Sequence, residues 1–193
     1  MSDAIRDEID YLALDDAALL AHCDKHAYKA SGPGGQHRNK VSSAVRLRHR
    51  PTGVTAHGDD SRSQHENKAM AINRLRMNIA LRLRRPVDRQ AAAPPVVAEC
   101  IFTPRGKAVK PGLKRLGIGR KDHRFWRVAA FLLDLLEAYE GRVSEAAAHL
   151  GISTSNLISV LKDDRHLLAA AQQIRKAHGH GPLKSQVARA SCP

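Results

Sequence analysis

The sequence predicts an α+β fold in which one long helix packs across a short, mostly antiparallel sheet and a glycine-rich loop protrudes from one edge. Three observations predict it. Residues 42–50 alternate between apolar and basic side chains, residues 63–85 repeat apolar side chains at helical spacing, and residues 31–35 contain three glycines and a proline. That last stretch is a loop, because glycine loses the most backbone freedom on folding and proline lacks an amide donor.

The elements before the loop are short. Residues 12–22 are apolar and rich in alanine, and Asp15 and Asp16 are placed to favour the positive end of a helix. A short strand is predicted around residues 26–30. His22 and His26 are four residues apart, which could place both on one face for a metal, but no third ligand is in view. We therefore predict no metal site and no cofactor.

Two strands follow the loop. Alternation over residues 42–50 places Val45, Leu47 and His49 on one face and arginines on the other, which predicts a half-buried strand with a basic outer face. Residues 51–53, Pro-Thr-Gly, suit a tight turn, and residues 54–57 read as the returning strand of a hairpin.

A long helix comes next. Ser63 and Glu66 fit a capping box at its start, and Pro86 stops it. Its apolar stripe is predicted to consist of Ile72, Leu75, Ile79 and Leu83. Three more side chains are predicted to widen this stripe and to lie in the core: Met70, Met77 and Leu81.

Composition divides the chain into four parts. Residues 1–86 contain the α+β domain, and residues 87–121 carry four prolines, several glycines and a run of basic side chains, which is typical of an extended linker rather than a packed domain. Residues 122–180 are predicted to form a small all-α C-terminal region, and residues 181–193 a tail.

The C-terminal region contains an apolar helix over residues 125–139. Ser144 and Ser153 are predicted as helix N-caps and Gly151 as the stop between two short helices, which gives the pattern of a helix-turn-helix. The second helix contains a single basic residue, so we favour a role in packing or ribosome docking over the reading of a nucleic-acid duplex. A DNA-binding regulator remains an alternative interpretation.

The charge predicts a polyanionic partner. The formal net charge is +13 and the isoelectric point is near 10.2, and the positive side chains cluster after residue 37 while the first 30 residues are net acidic. The three cysteines are scattered, which argues against a disulfide framework or a zinc site. The acidic start and the lack of a long apolar run predict a cytoplasmic protein without a membrane segment.

Several spaced motifs between about residue 28 and residue 85 carry a resemblance to a known family. They are Gly34-Gly35-Gln36, then His37, Asn39-Lys40, Ser43-Ala44-Val45-Arg46-Leu47, Pro51-Thr52-Gly53, Arg62-Ser63-Gln64 and Asn67-Lys68. In this order they resemble the GGQ domain of class I peptide chain release factors and of the small codon-independent peptidyl-tRNA hydrolases that rescue stalled ribosomes.

The resemblance implies the site residues and their roles. Gly34, Gly35 and Gln36 would be catalytic: the backbone N–H of the glutamine stabilises the transition state or the leaving 3′-oxygen, its side chain helps to place the water, and the glycines serve by being small. His37 could instead act as a base, an alternative without a second catalytic partner in view. The predicted RNA-binding residues are His37, Arg38, Asn39, Lys40, Arg46, Arg48, Arg62, Lys68, Arg105, Lys107, Lys110, Lys114, Arg115, Arg120 and Lys121.

The partners implied are the ribosome at its peptidyl transferase centre and peptidyl-tRNA, with the basic linker entering the mRNA channel. About thirty residues precede the loop, and neither the Pro-x-Thr nor the Ser-Pro-Phe tripeptide of bacterial decoding factors occurs, so we expect hydrolysis without codon reading by a monomer. The alternative is a non-catalytic or partner-dependent protein that only binds the ribosome or RNA.

Overall fold

A computed structural model describes residues 9–29, 42–104 and 114–183, and the chain divides into two units, Met1–Leu83 and Arg84–Pro193. The first unit combines a small antiparallel sheet with one long helix, and the second is mainly helical. The predicted α+β class is therefore confirmed.

The sheet of the first unit has three antiparallel strands in the order β1-β2-β3. Strand β1 spans Cys23–Tyr28, β2 spans Ala44–His49 and β3 spans Thr55–Gly58. The alternation predicted for β2 is confirmed, since its basic side chains are exposed and its apolar ones are buried. Gly53 adopts the positive φ of 67° that the turn between β2 and β3 requires.

The long helix, which we label α2, spans Gln64–Arg82 and packs across β2 and β3. Of its predicted stripe, Ile72, Leu75 and Ile79 are buried in the core, whereas Leu83 follows the helix as its C-cap and is partly buried. The prediction for Met70 was wrong: its side chain is 38% exposed. The buried core around this helix also contains Tyr11, Leu19, Cys23, Val45, Leu47, Val54, Ala56 and Ala71.

The start of α2 contains half of the predicted capping box. The Ser63 hydroxyl accepts a hydrogen bond from the Glu66 amide at 3.4 Å. The Glu66 carboxylate instead accepts from the Ser61 hydroxyl, and Ser61 Oγ accepts from the Ser63 amide at 3.1 Å. In the predicted capping box the Ser63 amide would donate to the Glu66 carboxylate. In the structure the Ser61 hydroxyl lies between these two groups and bonds to both.

A six-residue helix, α1, spans Asp16–Ala21 and begins at Asp15, whose carboxylate accepts from the Ala18 amide at 2.7 Å. Its other end is held by Arg50, at the end of β2. The Arg50 guanidinium donates to the Ala21 carbonyl at 2.6 Å, and the Arg50 amide donates to the His22 carbonyl at 2.9 Å. This distant cation satisfies carbonyl groups that α1 leaves open.

The second unit begins with short elements in the segment predicted to be a linker. Helix α3 spans Pro95–Ala98, and strands β4, Ile101–Phe102, and β5, Arg115–Leu116, pair antiparallel. Their side chains Val97, Cys100 and Leu116 are buried. The described part of residues 87–121 is therefore not wholly the extended chain that its composition predicted. These side chains are buried by contacts with residues far along the sequence, such as Asn156 with Leu116, and the composition of a segment does not reveal such contacts.

Four longer helices complete this unit: α4 spans Phe125–Ala138, α5 Val143–His149, α6 Thr154–Lys162 and α7 Arg165–Ala177. Ser153 is the N-cap of α6, as predicted, and accepts from the Asn156 amide at 3.2 Å. Ser144 was predicted as an N-cap, but it lies inside α5, which begins after Arg142. Gly151 separates α5 from α6 with a φ of 64°.

Candidate functional site

The glycine-rich loop connects β1 to β2. These strands pair antiparallel in a register that ends with Tyr28 opposite Ala44, so the connecting residues leave the sheet at that end. The predicted catalytic residues Gly34, Gly35 and Gln36 lie outside the described residues, as do His37, Arg38, Asn39 and Lys40. The described part of the site is the base of the loop, formed by the ends of β1 and β2.

One buried side chain holds the C-terminal side of this base. The Asn67 side chain, which is fully buried on α2, donates from Nδ2 to the Ser43 carbonyl and to the Ser61 carbonyl, each at 2.8 Å. Its Oδ1 accepts from the Ser61 amide at 2.9 Å. Asn67 thereby links the residue before β2, the turn before α2, and α2 itself.

Two further contacts bring α2 close to the same base. Gln64 Nε2 donates to the Ser42 carbonyl at 3.2 Å, one residue before the Asn67 contact. Gly58, at the end of β3, lies so close to α2 that a Cβ atom there would be 2.0 Å from the Asn67 carbonyl oxygen. Only glycine permits this approach.

The N-terminal side of the base is marked by Tyr28. Its hydroxyl lies 3.3 Å from Nδ1 of His57 on β3, and the two rings meet edge to face with centroids 6.1 Å apart. The last residue of β1 thus contacts the far strand of the sheet across β2.

The outer face of the sheet carries predicted RNA-binding residues. Arg46 and Arg48 on β2 are exposed. Arg46 lies between His26 on β1 and His57 on β3, while Arg48 lies opposite Asp24 and Thr55. Directly opposed residues share a face, so this surface beside the loop is polar and mainly basic. Arg62 is exposed before α2 and Lys68 is half-buried on it.

Other arginines of this unit stabilise the fold. Arg74 donates to the His57 carbonyl at 2.8 Å and pairs with Asp60, and Arg76 donates to the Leu14 carbonyl at 2.8 Å and pairs with Asp16. Arg46 and Arg48 form no ion pair within the described part of the chain. The structure therefore separates arginines that hold the unit together from those available to a phosphate backbone.

A histidine lies beneath the sheet and is held in its neutral form. His49 is fully buried, its ring packs edge to face on Tyr11 with centroids 4.5 Å apart, and Nδ1 lies 2.7 Å from the Thr52 hydroxyl. Burial, with the nearby charges of His22 and Arg50, lowers the pKa of His49 to about 4. This imidazole belongs to the core and not to the outer face.

The remaining predicted RNA-binding residues belong to the second unit. Lys114, Arg115 and Lys121 are exposed there, whereas Arg120 pairs with the buried carboxylate of Asp164 at 2.9 Å. Arg105, Lys107 and Lys110 lie outside the described residues. Exposed Phe102 on β4 was missed by the sequence reasoning, because a two-residue strand has no periodicity to reveal which side faces solvent.

The described residues contain no cluster of three or more His, Cys, Asp or Glu side chains placed to hold a metal. Across those same residues, no helix is long and apolar enough to cross a membrane.

The first unit is thus a small α+β fold in which the sequence Gly-Gly-Gln lies between β1 and β2, and β2 bears exposed arginines. Comparison with known proteins agrees: residues 20–95 match the RF-1 domain family. The similarity to class I peptide chain release factors therefore lies in these residues, which make up less than half of the chain.

The relatives are proteins named peptide chain release factor 1. The protein of Rickettsia bellii is 51% identical over 65 residues, which is 34% of this chain and 18% of the relative. That of Leptothrix cholodnii is 47% identical over 87 residues, 45% of this chain and 22% of the relative. The Paracidovorax citrulli protein is 37% identical over 123 residues, 63% of this chain and 33% of the relative. The matched region thus spans a third or less of each relative.

Proposed function

We propose that this protein is a ribosome-dependent, codon-independent peptidyl-tRNA hydrolase that releases nascent chains from stalled ribosomes in the cytoplasm. The observation that carries the proposal is that the sequence Gly34-Gly35-Gln36 lies between β1 and β2 within residues that match the RF-1 domain, and that β2 exposes Arg46 and Arg48. Codon independence is part of the proposal, and the dependence of release on the codon in the decoding site tests it directly.

In the proposed reaction a water attacks the carbonyl carbon of the ester that joins the peptide to the terminal ribose. The bond from that carbon to the ribose 3′-oxygen breaks, the peptide keeps the hydroxyl of the water, and the 3′-oxygen takes a proton. Gln36 is not a strong base, so its backbone N–H supplies a donor for the charge that develops on oxygen, and its side chain places the water. Gly34 and Gly35 allow the backbone to approach closely.

The anchored base supports this assignment of roles. A donor stabilises a transition state only when it is held in position before the reaction, because reorganisation then costs little. Asn67 holds the Ser43 carbonyl on one side of the loop, and Tyr28 contacts His57 on the other. Exposed Arg46 and Arg48 provide positive charge for ribosomal RNA near that base.

The proposed partners are the ribosome and peptidyl-tRNA, engaged by a monomer, with exposed basic side chains of residues 87–121 contacting the mRNA channel. The assay uses purified protein and ribosomes carrying labelled peptidyl-tRNA, with no codon, a sense codon or a stop codon in the decoding site. We expect release in all three, fastest without a codon. Release only with a stop codon would contradict codon independence.

Matched variants test the catalytic residues. Gly35→Ala and Gln36→Ala are compared with Gly119→Ala, where an added Cβ meets nothing within 4 Å, and Gln173→Ala on the exposed side of α7. We expect Gly35→Ala to slow release by about 100- to 1,000-fold while ribosome binding is kept, the loss typical of one oxyanion donor. Binding by the wild type without release would instead favour a non-catalytic, partner-dependent protein.

A further inference from the structure

The outer face of the β4–β5 ladder in the second unit combines one exposed aromatic ring with exposed cations. Phe102 is 51% exposed and lies opposite Arg115, which is also exposed. Directly opposed residues of an antiparallel pair share a face. The opposite face carries Ile101 and Leu116, of which Leu116 is buried. The ladder thus has an inner apolar face and an outer face formed by Phe102, Arg115 and Gly117, which we call the Phe102 platform.

Gly117 explains the position of the ring. A Cβ atom on Gly117 would be 2.8 Å from Cε1 of Phe102, so the ring occupies space that any other residue would fill. Gly117 is also the diagonal neighbour of Phe102 across the ladder, because it lies two residues after Arg115. The ring therefore lies on bare backbone while about half of its surface stays in solvent.

The platform is fixed to the helical part of its unit. The Asn156 side chain on α6 accepts from the Leu116 amide at 2.7 Å and donates to the Leu116 carbonyl at 3.0 Å, and it is itself buried. The Gly117 amide donates to the Cys100 carbonyl at 3.0 Å, and Lys114 forms a β-bridge with Ile152. Two short strands that would not persist alone are thus held by three independent contacts.

Exposed cations lie close in sequence to the platform residues. Lys114, Arg115 and Lys121 are exposed and form no ion pair with the described acidic side chains. The acidic groups nearby in sequence, Glu99 and Asp122, both pair with Arg124, at 3.3 Å and 2.9 Å. An exposed aromatic ring in such surroundings is better matched to a polyanion than to an apolar protein surface.

We propose that the Phe102 platform binds a single-stranded stretch of RNA, with one unpaired base stacked on Phe102 and an adjacent phosphate held by Arg115. Proteins that bind single strands combine aromatic stacking with cations that follow the backbone, and a duplex hides its base faces. The choice of RNA over DNA rests on the proposed function, which places this chain on the ribosome.

The test measures binding of the full-length protein to a fluorescent oligouridine of about 12 nucleotides by anisotropy. We expect Phe102→Ala and Phe102→Leu to weaken binding by about 5- to 30-fold, and Phe102→Trp to keep it, because leucine is apolar but offers no π face. Met70→Ala, at an exposed apolar side chain of the first unit, is the matched control and should bind as wild type.

The salt dependence separates the two parts of the platform. Arg115→Gln should reduce the slope of log affinity against log salt by about 0.7, the value for one phosphate contact on a single strand. Phe102→Ala should leave that slope unchanged. Lys176→Gln, at an exposed cation in the last turn of α7, is the control for charge and should not change it.

The platform proposal would be overturned if Phe102→Ala bound RNA as wild type does, if Phe102→Leu kept full binding, or if the protein preferred an RNA duplex. The choice of RNA would be overturned if single-stranded DNA of the same length bound more tightly. Trp126 fluorescence checks that the variants remain folded, since it is the single tryptophan and lies on α4. Binding through Phe102 by a chain that releases no peptide would contradict the proposed function and leave the platform standing. If the protein released peptide but bound RNA equally well without Phe102, the platform proposal would be contradicted and the proposed function would stand.

Discussion

The side-chain amide of Asn67 donates to the Ser43 carbonyl at 2.8 Å, which joins the helix α2 to the residue where the chain returns from the Gly-Gly-Gln loop. The same amide group also contacts Ser61 on both its carbonyl and its amide. A single buried side chain therefore fixes one side of the loop base.

Asn67→Ala should reduce the free energy of unfolding by about 3 kcal/mol, because it leaves buried backbone groups of Ser43 and Ser61 without these hydrogen bonds. The measurement is urea unfolding followed by circular dichroism. Gln64→Ala is the control, since Gln64 is exposed and makes one bond to the Ser42 carbonyl; it should cost less than about 1 kcal/mol. Equal losses for the two variants would show that Asn67 has no special role.

Gly58→Ala should destabilise the first unit by about 3 kcal/mol, because its Cβ would be 2.0 Å from the Asn67 carbonyl oxygen and the helix would have to move away from the sheet. Thermal unfolding measures this. Gly119→Ala has no neighbouring atom within 4 Å and should leave the unfolding temperature unchanged. A Gly58→Ala protein as stable as wild type would contradict the close approach of β3 and α2.

The stability of the first unit should fall as the pH is lowered from about 6.5 to about 4. Burial lowers the pKa of His49 to about 4 in the folded state, so between these values the unfolded chain binds more protons than the folded one. The full effect is about 3 kcal/mol, which is reached once both states are protonated.

Urea unfolding at several pH values measures this slope, and His49→Leu should reduce it while keeping a side chain of similar size in the core. The His49 resonances in an NMR titration give the pKa directly. A midpoint near the ordinary value of histidine would contradict the buried environment.

Asp134, on α4 in the second unit, should produce the opposite dependence. Burial raises the pKa of Asp134 to about 6, although Arg84 pairs with it at 2.8 Å and opposes that shift. The folded unit therefore binds more protons than the unfolded chain between about pH 4 and pH 6. Its stability should fall as the pH rises through that window, by about 2 to 3 kcal/mol.

Trp126 fluorescence during urea unfolding follows the second unit, since this tryptophan lies on the same helix. Asp134→Asn removes the titrating group and should flatten the pH dependence. Stability of the wild type that increases over the same range would show that the Arg84 pair outweighs the burial.

The parts of the fold that the sequence predicts are those with a local signal. The alternation in β2, the apolar stripe of α2 and the Ser153 cap each depend on residues a few positions apart, and each is found in the structure. Met70 shows the limit of such a signal: it lies at the edge of the stripe and its side chain is exposed.

The contacts that organise the site connect distant residues and have no local pattern. Asn67 was visible as a motif residue, but its bond to Ser43 joins positions 24 apart, and the Asn156 bond to Leu116 joins positions 40 apart. Charge alone also could not separate Arg74, which pairs with Asp60, from Arg46. Asn67 is a polar residue in the apolar stripe that contains Ala71 and Leu75. That position is the signal that could have revealed its contact with Ser43.

The contact between Arg50 and Ala21 bears on the order in which the chain acquires its structure. Helix α1 has six residues, too few to persist alone, and a cation 29 positions later satisfies its final carbonyl. A peptide of residues 9–29 should accordingly be a random coil, and substitutions in α1 should accelerate unfolding while leaving the refolding rate nearly unchanged. We therefore predict that the N-terminal helix forms late in folding, on a hairpin that already exists.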